Sequence, residues 1–208
     1  MKICIISDTH NKYKQLVMPD ADVVILCGDA TSVGYEYEIS NFLNWFSKLN
    51  QYKYKIFIAG NHDWFFEKTP QFVKQILPDN VIYLEDSGVE IEGIKFYGTP
   101  VQIDFCNWAF NRPEEKLAKY WEAIPDDTDV LITHSPPLGI LDYSPMCGKV
   151  GSPTLLNEVT MRIKPKVHCF GHIHHSHGVL EQDGTKFVNA SVLNDSYKLV
   201  FEPIVVEI

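Results

Sequence analysis

Five short apolar runs in this chain each end in polar side chains able to hold a metal ion, and this pattern constrains the fold more than any other feature. Lys2 to Ile6 gives way to Ser7-Asp8-Thr9-His10, Asp22 to Cys27 to Gly28-Asp29, and Lys55 to Ala59 to Gly60-Asn61-His62-Asp63. Asp129 to Thr133 is capped by His134, and Lys166 to Phe170 by Gly171-His172-Ile173-His174. Short continuous apolar runs bounded by polar turns read as buried strands. In an open α/β sheet the loops beyond the carboxyl ends of the strands form the ligand crevice. Groups scattered over most of the sequence can therefore converge on one site.

The remaining chain supplies cover for those strands. Ile39, Phe42, Leu43 and Phe46 recur at the three-four spacing of an amphipathic helix between Glu36 and Leu49. Further helices are expected from Asn11 to Met18, from Pro70 to Leu77, from Pro113 with its stripe Leu117, Tyr120, Trp121 and Ile124, and from Pro153 to Ile163. Val81 to Leu84, Val89 to Ile91 and Lys95 to Tyr97 read as short strands, the last two joined at Glu92-Gly93. The tail, Gly178 to Glu181, Thr185 to Ala190, Tyr197 to Phe201 and Ile204 to Ile208, reads as antiparallel strands with a turn at Asp183-Gly184. Early βα units followed by strand-rich sequence imply an α/β protein. The expected form is a four-layer α/β/β/α sandwich, two mixed sheets flanked by helices, with residues 1–208 making a single domain.

Charge and composition narrow the chemistry. A net charge of −9 disfavours binding to duplex nucleic acid, where affinity comes from Lys and Arg neutralising phosphates. Only Arg112 and Arg162 are present, so a site built on several arginine clamps is excluded by counting. No apolar stretch approaches the ~20 residues of a membrane span. Five cysteines without paired spacing, three of them (Cys4, Cys27, Cys169) inside apolar runs, point to a reducing compartment. The expectation is a cytoplasmic protein with no membrane partner, its oligomeric state open.

Carboxylate, imidazole and amide donors suit Mn, Fe, Zn, Co or Mg, and the absence of thiolates removes a purely structural zinc site. Asp8, His10, Asp29, Asn61, His134, His172 and His174 are too many ligands for one ion. They divide into two sets that share a carboxylate, and Asp29, alone on its loop, is the best bridge between two divalent ions. A lone Gly-Asp or Asp-x-His is usually a turn; the joint occurrence carries the inference. His168, inside a strand, reads as a hydrogen-bonded core histidine, and His175 and His177 as solvated loop residues. The aperiodic segment Val101 to Arg112 holds Trp108 and Phe110, which are candidate walls of a substrate pocket and equally candidates for the core.

The ordered blocks Asp-x-His, Gly-Asp, Gly-Asn-His-Asp, His and Gly-His-x-His, from Asp8 to His174, resemble the signature of the calcineurin-like metallophosphoesterase superfamily. Asn107-Trp108-Ala109-Phe110-Asn111, Pro136-Pro137-Leu138-Gly139, Val150-Gly151 and Asn189-Ala190-Ser191 resemble its metallophosphoesterase domain-containing branch. The resemblance implies one metal held by Asp8, His10, Asp29 and His174, and a second held by Asp29, Asn61, His134 and His172. It also implies that His62 protonates the leaving oxygen or stabilises the transition state, and that Asp63 orients it. Some members of that branch have glycine at the position of His172; this chain keeps the histidine. The expected activity is hydrolysis of small phosphodiesters, cyclic nucleotides among them, by a metal-bound hydroxide, with Asn61, His62, Trp108 and Phe110 meeting the substrate. A nucleotide monoesterase is the alternative enzyme, and a non-catalytic nucleotide- or protein-binding module the alternative of another class.

Overall fold

Strands that are apolar on both faces must be covered twice, and the chain does this by stacking two sheets and sheathing each with helices. A computed structural model describes residues 1–208. In chain order its elements are β1 (Lys2–Ile6), β2 (Val23–Cys27), α1 (Glu36–Ser47), β3 (Tyr54–Ile58), α2 (Trp64–Lys68), α3 (Pro70–Ile76), β4 (Ile82–Tyr83), β5 (Ser87–Ile91), β6 (Ile94–Thr99), β7 (Gln102–Ile103), β8 (Asn111–Arg112), α4 (Glu114–Glu122), β9 (Val130–Thr133), β10 (Tyr143–Ser144), β11 (Gly148–Lys149), α5 (Pro153–Asn157), β12 (Val167–Phe170), β13 (Gly178–Gln182), β14 (Thr185–Asn189) and β15 (Ile204–Glu207). No helix is long and apolar enough to cross a membrane.

One sheet has the order β15-β1-β2-β3-β4 and the other β13-β14-β12-β9-β6-β5. Both are parallel at their centres, with antiparallel edge strands β15, β13 and β5. Alternate side chains explain the layers. Ile3, Ile5, Ile25 and Ile56 face Val130, Ile132, Val167 and Val188 across the interface between the sheets. Their neighbours Cys4, Ile6, Val24, Leu26 and Phe57 point outward onto Ile39, Phe42 and Phe46 of α1. On the far side, Leu131, Phe170 and Phe187 pack against Leu117 and Trp121 of α4 and Leu155 of α5. The expected four-layer sandwich is the observed one.

The parallel strands β1, β2, β3, β9 and β12 send their carboxyl ends to one edge of the sandwich, and the two sheets are laced together there. Ser7, just past β1, donates its N–H to Ala190 and accepts that of Val192, so the chain leaving β14 in one sheet pairs with the chain leaving β1 in the other.

Two expected elements are absent. Asn11 to Met18 forms only a 3-10 turn at Tyr13–Gln15, because the left-handed Asn11 is tied through its N–H to Ala30 and Pro19 closes the segment. Tyr197 to Phe201 is not a continuous strand: the chain turns just before it, where Asn194 Oδ1 accepts the N–H groups of Ser196 and Lys198, and only an isolated antiparallel bridge joins Leu199 to Leu193. The helix from Pro153 also changes character, running on as a π-helical turn over Glu158–Ile163.

Candidate metal centre

Each ligand loop turns back sharply over the end of its strand. Asp8, His10, Asp29 and His172 all have positive φ, between 38° and 66°, a region that costs non-glycine residues of order 1–3 kcal/mol. The turns are zipped to one another: Asp8 N–H donates to Gly28 O, and His10 N–H to Asp29 O. Close approach also dictates two glycines. A Cβ on Gly60 would lie 2.3 Å from Asp29 Oδ1, and one on Gly171 2.1 Å from Asp8 Oδ2.

The seven expected ligands come together. The ligand atoms of Asp8, His10 and His174 all lie within 4.8 Å of one another, as do those of Asp29, His134 and His172. Asp29 stands between the two triads: its Oδ2 is 3.7 Å from His10 Nε2 and 3.4 Å from His134 Nε2, while Oδ1 accepts the N–H of His62. Asn61 Oδ1 lies 2.9 Å from His134 Nε2.

Hydrogen bonding shows that these groups fit a cation. His134 Nδ1 donates to Cys27 O at 2.7 Å, which in the neutral ring leaves a lone pair on Nε2 facing the oxygens of Asn61 and Asp29. His174 Nδ1 likewise donates to Asn194 O, turning Nε2 toward Asp8 Oδ1 at 3.4 Å. Asp8 Oδ2 accepts from His172 N–H and from the Ser191 hydroxyl, yet its buried Oδ1 has no partner, and neither has buried His10 Nε2. Buried lone pairs left facing lone pairs cost about 1–3 kcal/mol each unless a proton or metal sits between them. The oxygen and imidazole donors match the divalent ions Mn, Fe, Zn, Co and Mg.

The titration behaviour of the metal-free groups follows the same geometry. Burial drives His172 down to about 3 and, outweighing Asp29 and Asp8, His10 down to about 4, so both rings offer free lone pairs at neutral pH. Burial opposes charge on His134 as well, but Asp29 beside it prevails and lifts it to about 9. Asp29 and Asp8 resist the effect of burial because the surrounding histidines hold both carboxyls well below the usual range.

His62 stands at the edge of this cluster, half-buried. Its Nδ1 donates to Ser32 O at 2.6 Å, leaving Nε2 free, and its ring is stacked on Trp108 with centroids 4.1 Å apart. The expectation that Asp63 orients it needs correcting. The Asp63 carboxylate accepts the N–H groups of Gly60, Ala30 and Thr31 and the Thr31 hydroxyl, so it fastens the β3 loop to the β2 loop. The group that fixes the ring is the Ser32 carbonyl. Of the two aromatic candidates, Trp108 reaches the site, whereas Phe110 is 2% exposed inside the α1-side core. Phe105, of the same aromatic-rich segment read as a candidate pocket wall, lies T-shaped against His172.

His168 is a core residue as expected: Thr133 Oγ1 donates to Ser135 O and so accepts from His168 Nε2 at 2.9 Å. His175 is exposed and paired with Asp195. His177 departs from the expected solvated residue, since its ring stacks on Phe201 at 4.4 Å and its Nδ1 donates to Ser191 O. Ser32, Ser191, Asn194 and Tyr197 escaped sequence reasoning, and of these only Ser191 had a signal, the Asn189-Ala190-Ser191 stretch.

Comparison with known proteins agrees with this geometry. The family described as calcineurin-like phosphoesterase matches residues 1–176. Metallophosphoesterase domain-containing protein 1 of Homo sapiens is 40% identical over 230 residues, covering 99% of this chain and 70% of that protein. UPF0046 protein K07C11.7 of Caenorhabditis elegans is 37% identical over 219 residues, covering 99% of this chain and 74% of its own. A solved crystal structure at 17% identity superposes with a TM-score of 0.60 over 90% of this chain and 89% of that one, a likeness of fold.

Proposed function

The chain belongs to the calcineurin-like phosphoesterase family and is a metal-dependent phosphoesterase, and we propose that it hydrolyses small phosphodiesters, cyclic nucleotides among them, at a centre of two divalent ions. The observation that carries this reading is the pair of largely buried triads meeting at Asp29 Oδ2. Asp8, His10, Asp29 and His174 would hold one ion, and Asp29, Asn61, His134 and His172 the other, with Mn²⁺ the favoured metal. Ions bound there supply Lewis acidity, activating water and neutralising the phosphoryl oxygens.

The chain's own residues do the rest. Ser32 O keeps the proton of His62 on Nδ1, so Nε2 is the nitrogen that, when protonated, passes a proton to the leaving oxygen. Trp108 covers one face of that ring and restricts its rotation. The Asp63 carboxylate keeps the loops of Asn61 and Asp29 in register.

Preference for a diester rests on charge. Arg112 is paired with Glu67 and Arg162 with Glu158 and Asp126, so neither is free to grip a dianionic monoester. The net charge of −9 also favours a small substrate over duplex nucleic acid. The five cysteines are all unpaired, which suits a reducing compartment, and the cytoplasm is our assignment.

The test is to strip the protein of metal, reload it with Mn²⁺, and compare kcat/KM for a chromogenic phosphodiester and the matching monoester. We expect a diester preference that chelator abolishes. A monoester preference would assign the protein to nucleotide or other phosphomonoesters. Tight nucleotide binding without turnover on any metal would make it a binding module.

A further inference from the structure

A site that binds phosphoryl groups needs donors for them, and both arginines of this chain are committed elsewhere. Tyr197 faces the ligand cluster from its open side. Its ring stands edge-on to His10, with centroids 4.9 Å apart, and to His174 at 5.2 Å, so it touches two of the three side chains of the Asp8 triad. The residue is nonetheless 47% exposed, which puts it at the mouth of the site rather than in its floor.

The side chain is held there by a purpose-shaped turn. Tyr197 has a left-handed backbone, φ 55°, and its N–H donates to Asn194 O at 2.7 Å. Asn194 Oδ1 accepts from Ser196 and Lys198 on either side, and the Lys12 ammonium donates to the Tyr197 carbonyl. The Asn194 carbonyl also takes the Nδ1–H of His174, so one turn both aims the tyrosine and sets the tautomer of a ligand.

We propose that Tyr197 is a substrate-binding residue whose hydroxyl donates a hydrogen bond to a non-bridging oxygen of the phosphoryl group. This inference rests on the phosphoesterase reading and adds to it a neutral donor, which suits the single charge of a diester. A hydrogen bond to a charged oxygen is among the stronger ones a neutral side chain makes.

Tyr197→Phe and Tyr197→Ala test it, with inorganic phosphate as the probe. Phosphate binding to Mn²⁺-loaded protein is measured by calorimetry, metal content by elemental analysis, and KM and kcat on the chromogenic diester. The phenylalanine variant should keep full metal content, bind phosphate about tenfold more weakly, and raise KM by a similar factor with a smaller change in kcat. The alanine variant should show the same loss of phosphate binding and also retain metal less well, since the ring no longer packs on His10 and His174. Phosphate affinity in Tyr197→Phe equal to wild type would overturn the proposal, and so would metal loss in that variant in step with phosphate loss. If wild-type protein turns over no phosphoester with any metal, the phosphoesterase reading fails instead, while the phosphate titration still decides the role of Tyr197.

Discussion

The two halves of the candidate metal centre solve the same problem unequally. On the His134 side, Nε2 has Asn61 Oδ1 and Asp29 Oδ2 as neighbours, and the imidazole satisfies both by taking a proton when no metal is present. On the Asp8 side, against the effect of burial, Asp8 raises the pKa of His174, whose Nε2 lies 3.4 Å from Asp8 Oδ1, so this ring can also take a proton. His10 Nε2, however, is buried without a partner, and burial holds His10 neutral. The lesson is that convergence of ligands is not a single property. One half shares a proton among His134, Asn61 and Asp29, while in the other a single ring nitrogen, His10 Nε2, keeps a desolvation cost that a cation would relieve.

The largest test of that contrast removes the group the halves share. Asp29→Asn should lower kcat/KM by on the order of 10³-fold or more and reduce metal content at both halves, because Oδ2 faces both. Loss confined to one half, read by metal titration, would break the bridging assignment. A smaller change separates the halves. Ser191→Ala removes the hydroxyl that donates to Asp8 Oδ2, leaving the carboxylate freer to rotate, and should weaken metal binding about 10–100-fold on the Asp8 side alone. Equal weakening on both sides would mean that the halves cannot be treated apart.

A site away from the ligands, with no expected effect on metal binding, provides a control. His168 lies in the core, and burial drives its pKa down to about 3. In the unfolded chain it takes up a proton below roughly pH 6.5, but in the folded protein only near the lower value. Unfolding therefore binds a proton in that window, and stability falls with acid by about 1.4 kcal/mol per pH unit. His168→Gln should flatten the acid slope of chelator-treated protein in thermal melts between these pH values. An unchanged slope would assign acid lability to the metal centre rather than to this ring.

Sequence reading went furthest where the controlling interactions are local. The strand runs and their polar caps were legible because burial on both faces demands unbroken apolar residues, and the residues just past each strand have only the loop to occupy. Helix α1 was legible from its apolar period. Roles that depend on orientation were not. Asp63 looked like a partner for its neighbour His62, yet its carboxylate is taken by Gly60, Ala30 and Thr31. Trp108 and Phe110 stood equal in sequence, and only the course of the loop put one on His62 and the other in the core. Tyr197 was masked by a strand-like run that the Asn194 turn reduces to one isolated bridge, Leu199 to Leu193.

The sequence by itself determined the layer architecture, the family and the seven candidate ligands, because each is written in residue type and short-range spacing. Tertiary structure decided which atom of each ligand is free, what holds Asp8 and His62 in place, and which aromatic rings reach the site. Those outcomes depend on hydrogen bonds such as Ser191 to Asp8, between residues 183 positions apart, and no local pattern encodes where two distant turns will meet.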